Sequence, residues 1–277
     1  MSEAILVVAA VVPAVWLLVC VYRADKLEKE PAGLLISLVL LGIVITTLAA
    51  VTEQIGDAFL TEVFPQGGLV YNFILYFIVV ALSEEGFKYL LLKIRTWKSP
   101  HFNCSFDGVV YAVFVSLGFA LWENIAYVLE YGIGTAIARA LTAVPGHACF
   151  GVFMGVYYGI AKRMDLAGEK KDSKVARRKA LWIPLLLHGT YDFIASLEND
   201  WWSLAFLAFM IWMFVSALKL IKKASAEDSP LMQERTTEKL MNNNGEETHY
   251  GSEESRDPDS GSPDGEKTFT GAAGGDG

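Results

Sequence analysis

Long blocks of apolar residues, separated by short polar connections, run along the chain as far as Ile221. Each block is 18 to 24 residues long, close to the ~20 residues that an α-helix needs to cross ~30 Å of hydrocarbon. None shows the apolar–polar alternation of a transmembrane β-strand. The pattern predicts an all-α, polytopic transmembrane helical bundle of about seven spans: Ala4–Tyr22, Leu34–Val51, Leu69–Leu92, Gly108–Leu129, Leu141–Ala161, Ala180–Leu197 and Trp201–Ile221.

Basic residues alternate between the connections. In chain order, the connections and the end of the last span hold 3, 0, 3, 1, 8, 0 and 3 Lys or Arg residues. Since cytosolic loops carry the excess of basic residues, the pattern predicts a multi-pass integral membrane protein with its N-terminus outside and its C-terminus in the cytosol. The eight basic residues of Lys162–Lys179 are expected to lie against anionic lipid headgroups. No basic residue precedes the first span, which we therefore interpret as a retained anchor.

Composition adds a second region to this picture. Residues 225–277 hold 13 acidic and 4 basic residues, a net charge of −9, and almost no aliphatic run, so the net charge of −8 for the whole chain comes from this region. A segment of that composition cannot bury enough apolar surface to fold. We therefore predict a transmembrane domain at 1–224 and a disordered acidic cytosolic tail at 225–277. Three scattered cysteines exclude a disulfide framework, and no nucleic-acid partner is expected.

Charged residues interrupt the third span. Glu84, Glu85 and Lys88 lie where a helix would be surrounded by hydrocarbon, and ionisable groups at that depth mark functional sites. Glu84 and Lys88 are four residues apart and share a helix face, so pairing would lower the cost of burying both. Adjacent carboxylates raise one another's proton affinity, which suits a general acid or base. An ion pair that merely joins helices is the alternative interpretation.

Three further spans carry polar residues of the same kind. The fourth has Glu123 and Asn124, and the sixth has His188 and Asp192 at i, i+4. In the fifth, His147 begins a stripe with Gly151, Gly155 and Gly159, and small residues in such a stripe let helices approach closely. The stripe should therefore face protein and carry His147 with it. The candidate site residues are Glu84, Glu85, Lys88, Glu123, Asn124, His147, His188 and Asp192.

These groups suit the activation of a water molecule for hydrolysis. His147, His188, Asp192 and Glu123 also supply enough ligands for a catalytic Zn²⁺. Helix rise, however, puts Glu84 and His188 at one depth and Glu123 and His147 about 10 Å away from it, which opposes a shared metal unless a helix tilts or breaks. A proton- or ion-coupled transporter using the same groups is the main alternative, and a membrane cytochrome with two axial histidines is a third.

The four motifs, in this order on successive spans, resemble those of the PrsW family of intramembrane proteases, which are related to the CAAX prenyl proteases. The family pattern is Glu-Glu-x-x-Lys, Phe-x-x-x-Glu-Asn, a His before a glycine stripe, and His-x-x-x-Asp. This chain has Glu84-Glu85-Gly86-Phe87-Lys88, Phe119-Ala120-Leu121-Trp122-Glu123-Asn124, His147 with its glycines, and His188-Gly189-Thr190-Tyr191-Asp192. The resemblance covers roughly Leu69–Phe193.

The resemblance implies an intramembrane endopeptidase that cleaves a single-span membrane protein, as in site-1 cleavage of membrane-anchored anti-sigma factors. The family is often described as metalloproteases, whereas the related prenyl proteases are argued to use a glutamate-activated water without a metal. No His-Glu-x-x-His motif is present, and the sequence leaves the use of zinc, and the choice between Glu84 and Glu85 as base, open.

The charge pattern gives a testable topology. A single cysteine introduced into the Thr52–Gly68 connection should react with an impermeant thiol reagent on intact cells, because that connection holds no basic residue. A cysteine introduced into Lys162–Lys179 should react only after permeabilisation. The reverse pattern of labelling would contradict the predicted orientation.

Overall fold

The structure is a computed structural model that describes residues 2–231 and places most of them in α-helices. It confirms the all-α transmembrane class predicted from the apolar blocks. Eight helices are found within these residues: α1 Glu3–Ala24, α2 Ala32–Val63, α3 Leu69–Thr96, α4 Asp107–Tyr131, α5 Ile133–Leu141, α6 Ala143–Ala167, α7 Lys170–Ala195 and α8 Asp200–Ala226.

Six stretches of these helices are long and apolar enough to cross a membrane: α1, α2, α3, α4, the pair α5–α6, and α8. The predicted span Ala180–Leu197 belongs to α7, which does not meet that criterion in the described chain. Its amino-terminal half holds six basic residues, so the helix as a whole is too polar. The connection predicted at Lys162–Lys179 is mostly helical, because α6 continues to Ala167 and α7 begins at Lys170. Gly168, in a left-handed conformation, ends α6.

Helix α4 lies at the centre of the bundle. Every residue from Asp107 to Ala120 is buried, whereas α1, α2 and α8 expose large apolar side chains on their outer faces, as Trp16, Ile36 and Trp212 illustrate. In water such a surface would be costly, but it suits contact with lipid acyl chains.

Glycines fix the position of α6 against α4. A Cβ atom on Gly108 would lie 2.7 Å from the carbonyl oxygen of Gly155 and the nitrogen of Gly159, which is closer than real Cβ contacts. Gly151 likewise faces the backbone of α4 at Val113. The stripe predicted to face protein therefore does so, and it sets the height at which the side chains of α6 meet those of α4.

Helix α3 changes its winding halfway along. Leu75–Val80 forms a π-helical stretch between the α-helical segments Leu69–Ile74 and Ala81–Thr96. Such stretches are rare and often lie next to functional sites. Here the stretch ends four residues before Glu84.

The segment after α8 packs against the body of the protein. Helix α8 ends at Ala226. Residues Asp228–Leu231, here called the C-terminal strap, pack alongside the turn that precedes α4. The backbone nitrogen of Leu231 donates to the carbonyl oxygen of Asn103 at 2.7 Å, and the backbone nitrogen of Ser105 donates to the carbonyl oxygen of Ser229 at 3.3 Å. Leu231 is 2% exposed. The packed part of the chain thus extends past the predicted boundary after Ala224, and the disorder predicted for 232–277 falls outside the described residues.

The strap should contribute to stability. Deleting the chain after Ala224 removes the buried Leu231, worth about 2–3 kcal/mol, and the hydrogen bonds that Asp228 accepts from Ser105 and Phe106. In a bundle of this size we expect a fall in unfolding temperature of roughly 5–10 °C in detergent. A chain truncated after Leu231 is the matched control, and equal unfolding temperatures for the two truncations would contradict the prediction.

Candidate active site

The predicted site residues meet inside the bundle, where α3, α4, α6 and α7 face one another. Glu84, Glu85, Lys88, His147 and His188 are each at most 4% exposed. The side chains of Glu123 and Asp192 are about one fifth exposed and lie at the edge of the cluster. The residues form one continuous chain of hydrogen bonds.

Lys88 is the centre of this cluster. Its Nζ donates to Glu84 Oε2 at 2.9 Å and to Glu85 Oε1 at 2.8 Å on its own helix, and it lies 3.1 Å from Nδ1 of His147 on α6. It also lies 4.0 Å from the centre of the Phe119 ring on α4, within range of a cation–π interaction. One ammonium group therefore binds α3 to both α4 and α6.

The hydrogen bonds assign the tautomer of His147. An ammonium has donors and no acceptor, so Nδ1 of His147 must accept from Lys88. The proton then lies on Nε2, which donates to Glu123 Oε2 at 2.9 Å. Arg139 on α5 donates to the same Glu123 oxygen at 2.8 Å. Glu123 thus orients His147 as the aspartate orients the histidine of a catalytic triad.

His188 joins the cluster from α7. Its Nδ1 lies 3.0 Å from Glu85 Oε1 and its Nε2 lies 3.2 Å from Asp192 Oδ2. Since both partners are carboxylates, two hydrogen bonds require a proton on each ring nitrogen. The network therefore assigns a positively charged imidazolium to His188, with Asp192 and Glu85 as its counter-charges.

The two depths expected from helix rise are not separate levels in the structure. Lys88 and His147 are in hydrogen-bond contact, and the rings of His147 and His188 are 5.4 Å apart. The expectation fails because the ends of apolar runs do not mark one plane. Helix α7 begins at Lys170, well before the predicted start at Ala180, and the glycine contacts fix α6 against α4.

Asn124 is buried beside the cluster and contacts none of the histidines. Its Nδ2 donates to the carbonyl of Ala10 on α1 at 2.8 Å, and its Oδ1 accepts from Arg139 Nε at 2.9 Å. This arrangement holds α1 and α5 against α4 and positions the guanidinium that contacts Glu123.

Two residues near the cluster were missed in the sequence. Arg139 is the single basic residue of its connection, and that isolation is the signal that could have identified it. Glu53 lies beyond the span predicted to end at Val51, but α2 continues to Val63, and Ser83 Oγ lies 3.5 Å from Glu53 Oε1. Apolar residues at helical spacing beyond Glu53 could have extended the predicted span.

A metal ion would find suitable donors here. Glu84, Glu85 and His147 offer ligand atoms that all lie within 4.8 Å of one another, and two carboxylates with one imidazole suit a catalytic zinc site. Of the four metal ligands predicted from the sequence, His147 alone belongs to this group of three. Glu123 contacts His147, and Asp192 contacts His188. The Nζ of Lys88, however, lies within 3.1 Å of the same three side chains, so a metal would have to displace it.

The part of the chain that holds this cluster is similar in sequence to known proteins. Residues 30–219 match the sequence model of the PrsW family, described as intramembrane metalloproteases. The chain is 34% identical over 223 residues to the protease PrsW of Halalkalibacterium halodurans, covering 80% of this chain and 98% of that protein. It is 35% identical over 229 residues to that of Geobacillus kaustophilus, covering 81% and 94%. The match to that of Bacillus subtilis is 34% over 218 residues, covering 78% and 94%. No solved structure matches.

Proposed function

This chain belongs to the PrsW family of intramembrane proteases, and from that premise we propose that Glu85 activates the water that hydrolyses a peptide bond of a membrane-anchored substrate. The observation that carries the assignment is the state of its two oxygens. Oε1 is held by Lys88 and His188, whereas Oε2 is buried and has no hydrogen-bond partner among the described residues. Oε2 is therefore free to accept a proton from water.

Hydrogen bonding supports Glu85 over Glu84 as the base. Glu85 is fully buried, and two positively charged neighbours fix its orientation. A fixed carboxylate in a site that excludes bulk water accepts a proton without reorganising its surroundings. Within the described part of the chain, the hydrogen-bond partner of Glu84 is Lys88, and the distance from Glu84 to His188 Nδ1 is 3.9 Å. Its role in this proposal is to balance the charge of Lys88.

Lys88 responds when the base is protonated. As the water oxygen attacks the peptide carbonyl, its proton passes to Glu85, whose hydrogen bond to Lys88 then weakens. A donor of the ammonium becomes available for the oxyanion, which is the charge that most needs stabilising. Cleavage of the C–N bond follows, and the proton of Glu85 passes to the leaving nitrogen, which restores the carboxylate.

Glu123 and Arg139 act through His147. They fix the ring so that Nδ1 faces Lys88, which keeps the ammonium directed between Glu84 and Glu85. Family membership favours this hydrolytic use of the buried groups over the coupled transport that the same residue types could otherwise support. The substrate expected from the family resemblance is a single-span membrane protein such as a membrane-anchored anti-sigma factor.

In the active site, the three side chains that could hold a metal are the same ones that contact the ammonium of Lys88. If one binds, Glu84, Glu85 and His147 would hold it, and it would supply a Lewis acid that polarises the peptide carbonyl. The ammonium already places a positive charge among those donors, so metal and Lys88 should compete. In this proposal, Glu85 accepts the proton of the water, and Lys88 holds the carboxylates in place.

Paired glutamine variants test the base. In proteoliposomes with a single-span substrate, Glu85→Gln should lower the cleavage rate by the ~10²–10⁴-fold expected for loss of a general base, and Glu84→Gln should lower it less. Glu130→Gln, at an exposed position, is the matched control and should cleave as the wild type does. Wild-type rates for both Glu84→Gln and Glu85→Gln would refute hydrolysis at this cluster, and a larger loss for Glu84→Gln would reassign the base.

Competition at Lys88 tests the metal. Removing the ammonium while keeping the side-chain length, as in Lys88→Met, should raise the zinc content per purified chain above that of the wild type, because three donors lose their cation. Lys93→Met, on the exposed face of the same helix, should leave the zinc content unchanged. Near-stoichiometric zinc in the wild type that Glu84→Gln removes would contradict the assignment of the site to Lys88.

A further inference from the structure

A second group of carboxylates lies away from the active site, at the end of the bundle where the C-terminal strap packs. This acidic end cluster consists of Asp25, Glu28 and Glu30 from the α1–α2 connection, Asp107 at the start of α4, and Asp228 of the strap. The active site uses none of these residues.

Buried oxygens without a donor are concentrated in this cluster. Within the described residues, seven buried side-chain nitrogen or oxygen atoms lack a hydrogen-bond partner, and five are oxygens at this end of the bundle. They are both carboxylate oxygens of Asp25, one each of Asp107 and Asp228, and the side-chain oxygen of Asn103. Asp25 is 1% exposed and Asp107 is fully buried. Such atoms are rare in folded proteins because each costs ~1–3 kcal/mol when left unpaired.

The turn before α4 binds two of these carboxylates through one oxygen each. Asp107 uses Oδ2 to accept from the nitrogens of Asn103 and Cys104, at 3.0 and 2.7 Å. Asp228 uses Oδ1 to accept from the nitrogen of Phe106 at 2.8 Å. The second oxygen of each carboxylate is therefore the one without a donor, and both carboxylates bind the same turn.

Basic side chains do not balance this charge. Among the described residues, no ion pair is found for any of the five carboxylates. Lys29 interacts electrostatically with Asp25, but its ammonium donates to the backbone carbonyls of Tyr22 and Asp25. His101 is the other nearby base, and it interacts with Glu30. Burial, together with Asp228 and Glu28, raises the pKa of the Asp25 carboxyl despite Lys29.

Four carboxylates of the cluster act together on the thiol of Cys104. Burial raises the pKa of its thiol to about 12, and the charges of Asp107, Asp228, Glu28 and Asp25 add to the effect. The carboxyl of Glu30 accepts from Tyr111 at 2.6 Å and lies within hydrogen-bond range of Asp107. Carboxyl groups packed this closely require either shared protons or a cation.

We propose that the acidic end cluster binds a divalent cation of the Ca²⁺ or Mg²⁺ type through Asp25, Asp107, Asp228 and the side-chain oxygen of Asn103. The donors are all oxygen, three of them carboxylates, which is the preference of these ions and not of zinc or copper. The donor atoms are spaced more widely than those of Glu84, Glu85 and His147. Binding therefore draws the α1–α2 connection and the strap toward the turn before α4.

Thermal unfolding in detergent, followed by tryptophan fluorescence, tests this site without reference to protease activity. Adding Ca²⁺ or Mg²⁺ to chelator-treated wild type should raise the unfolding temperature, by roughly 5 °C or more at a hundredfold excess over Kd. Asp25→Asn should abolish this rise. Because Asp25 has no hydrogen bond to lose through its side chain, the same variant in chelator should unfold at or above the temperature of the wild type.

Two variants serve as controls for the location of the site. Asp165→Asn changes a carboxylate that is paired with Lys170, and it should keep the full rise in unfolding temperature. Glu84→Gln should keep it as well, since the active site lies elsewhere. A rise that Glu84→Gln loses and Asp25→Asn keeps would assign the cation to the active site and overturn the proposal.

The rival explanation is that the cluster holds protons. In that case the unfolding temperature of the wild type would be the same with and without Ca²⁺ or Mg²⁺ and would rise as the pH is lowered from 7 to 5, because groups with a raised pKa bind protons more tightly in the folded state. That result would overturn the proposal. An equal response of the wild type and Asp25→Asn to the cation would also do so.

Discussion

The active-site cluster depends on one buried ammonium. Lys88 carries a positive charge and is fully buried, and each hydrogen-bond donor of its ammonium is used by Glu84, Glu85 or His147. Removing Glu84 or Glu85 would take away a counter-charge of the buried ammonium, which costs several kcal/mol. The same constraint explains why the carboxylates can be ionised there, since each has a cation within hydrogen-bond distance. Catalytic groups and helix packing are therefore not separable in this protein.

The glycine stripe makes this arrangement possible. Charged side chains are short compared with the ~8–10 Å between helix axes, so a chain of contacts across α3, α4 and α6 requires close helices. Gly108, Gly155 and Gly159 bring α6 against α4, and His147 on the same stripe then reaches both Lys88 and Glu123. A larger residue in the stripe would separate the imidazole from its partners without changing any charged residue.

Much of the site could be predicted from the sequence, because charge at membrane depth is expensive and therefore conspicuous. Glu84, Lys88 and His188 stand out against apolar neighbours, and the repeat of four from His147 identifies a helix face. The height of each residue could not be predicted in the same way. Helix ends depend on tertiary contacts, so α2 continues through Glu53 and α7 begins in a basic segment that resembles a loop. Arg139 and the strap were missed because their partners are distant in sequence.

The π-helical stretch of α3 has a consequence for how this chain tolerates change. Helix α3 contacts α7 on both sides of the stretch. Before it, Asn72 donates to Ser196, the C-cap residue of α7, and after it Glu85 contacts His188. The wider winding of Leu75–Val80 sets the rotation between these two contacts. The number of residues in the stretch is therefore constrained. Loss of a single residue would return the segment to an ordinary α-helix and turn one of the two contacts away from α7. The length of this segment is what both contacts require.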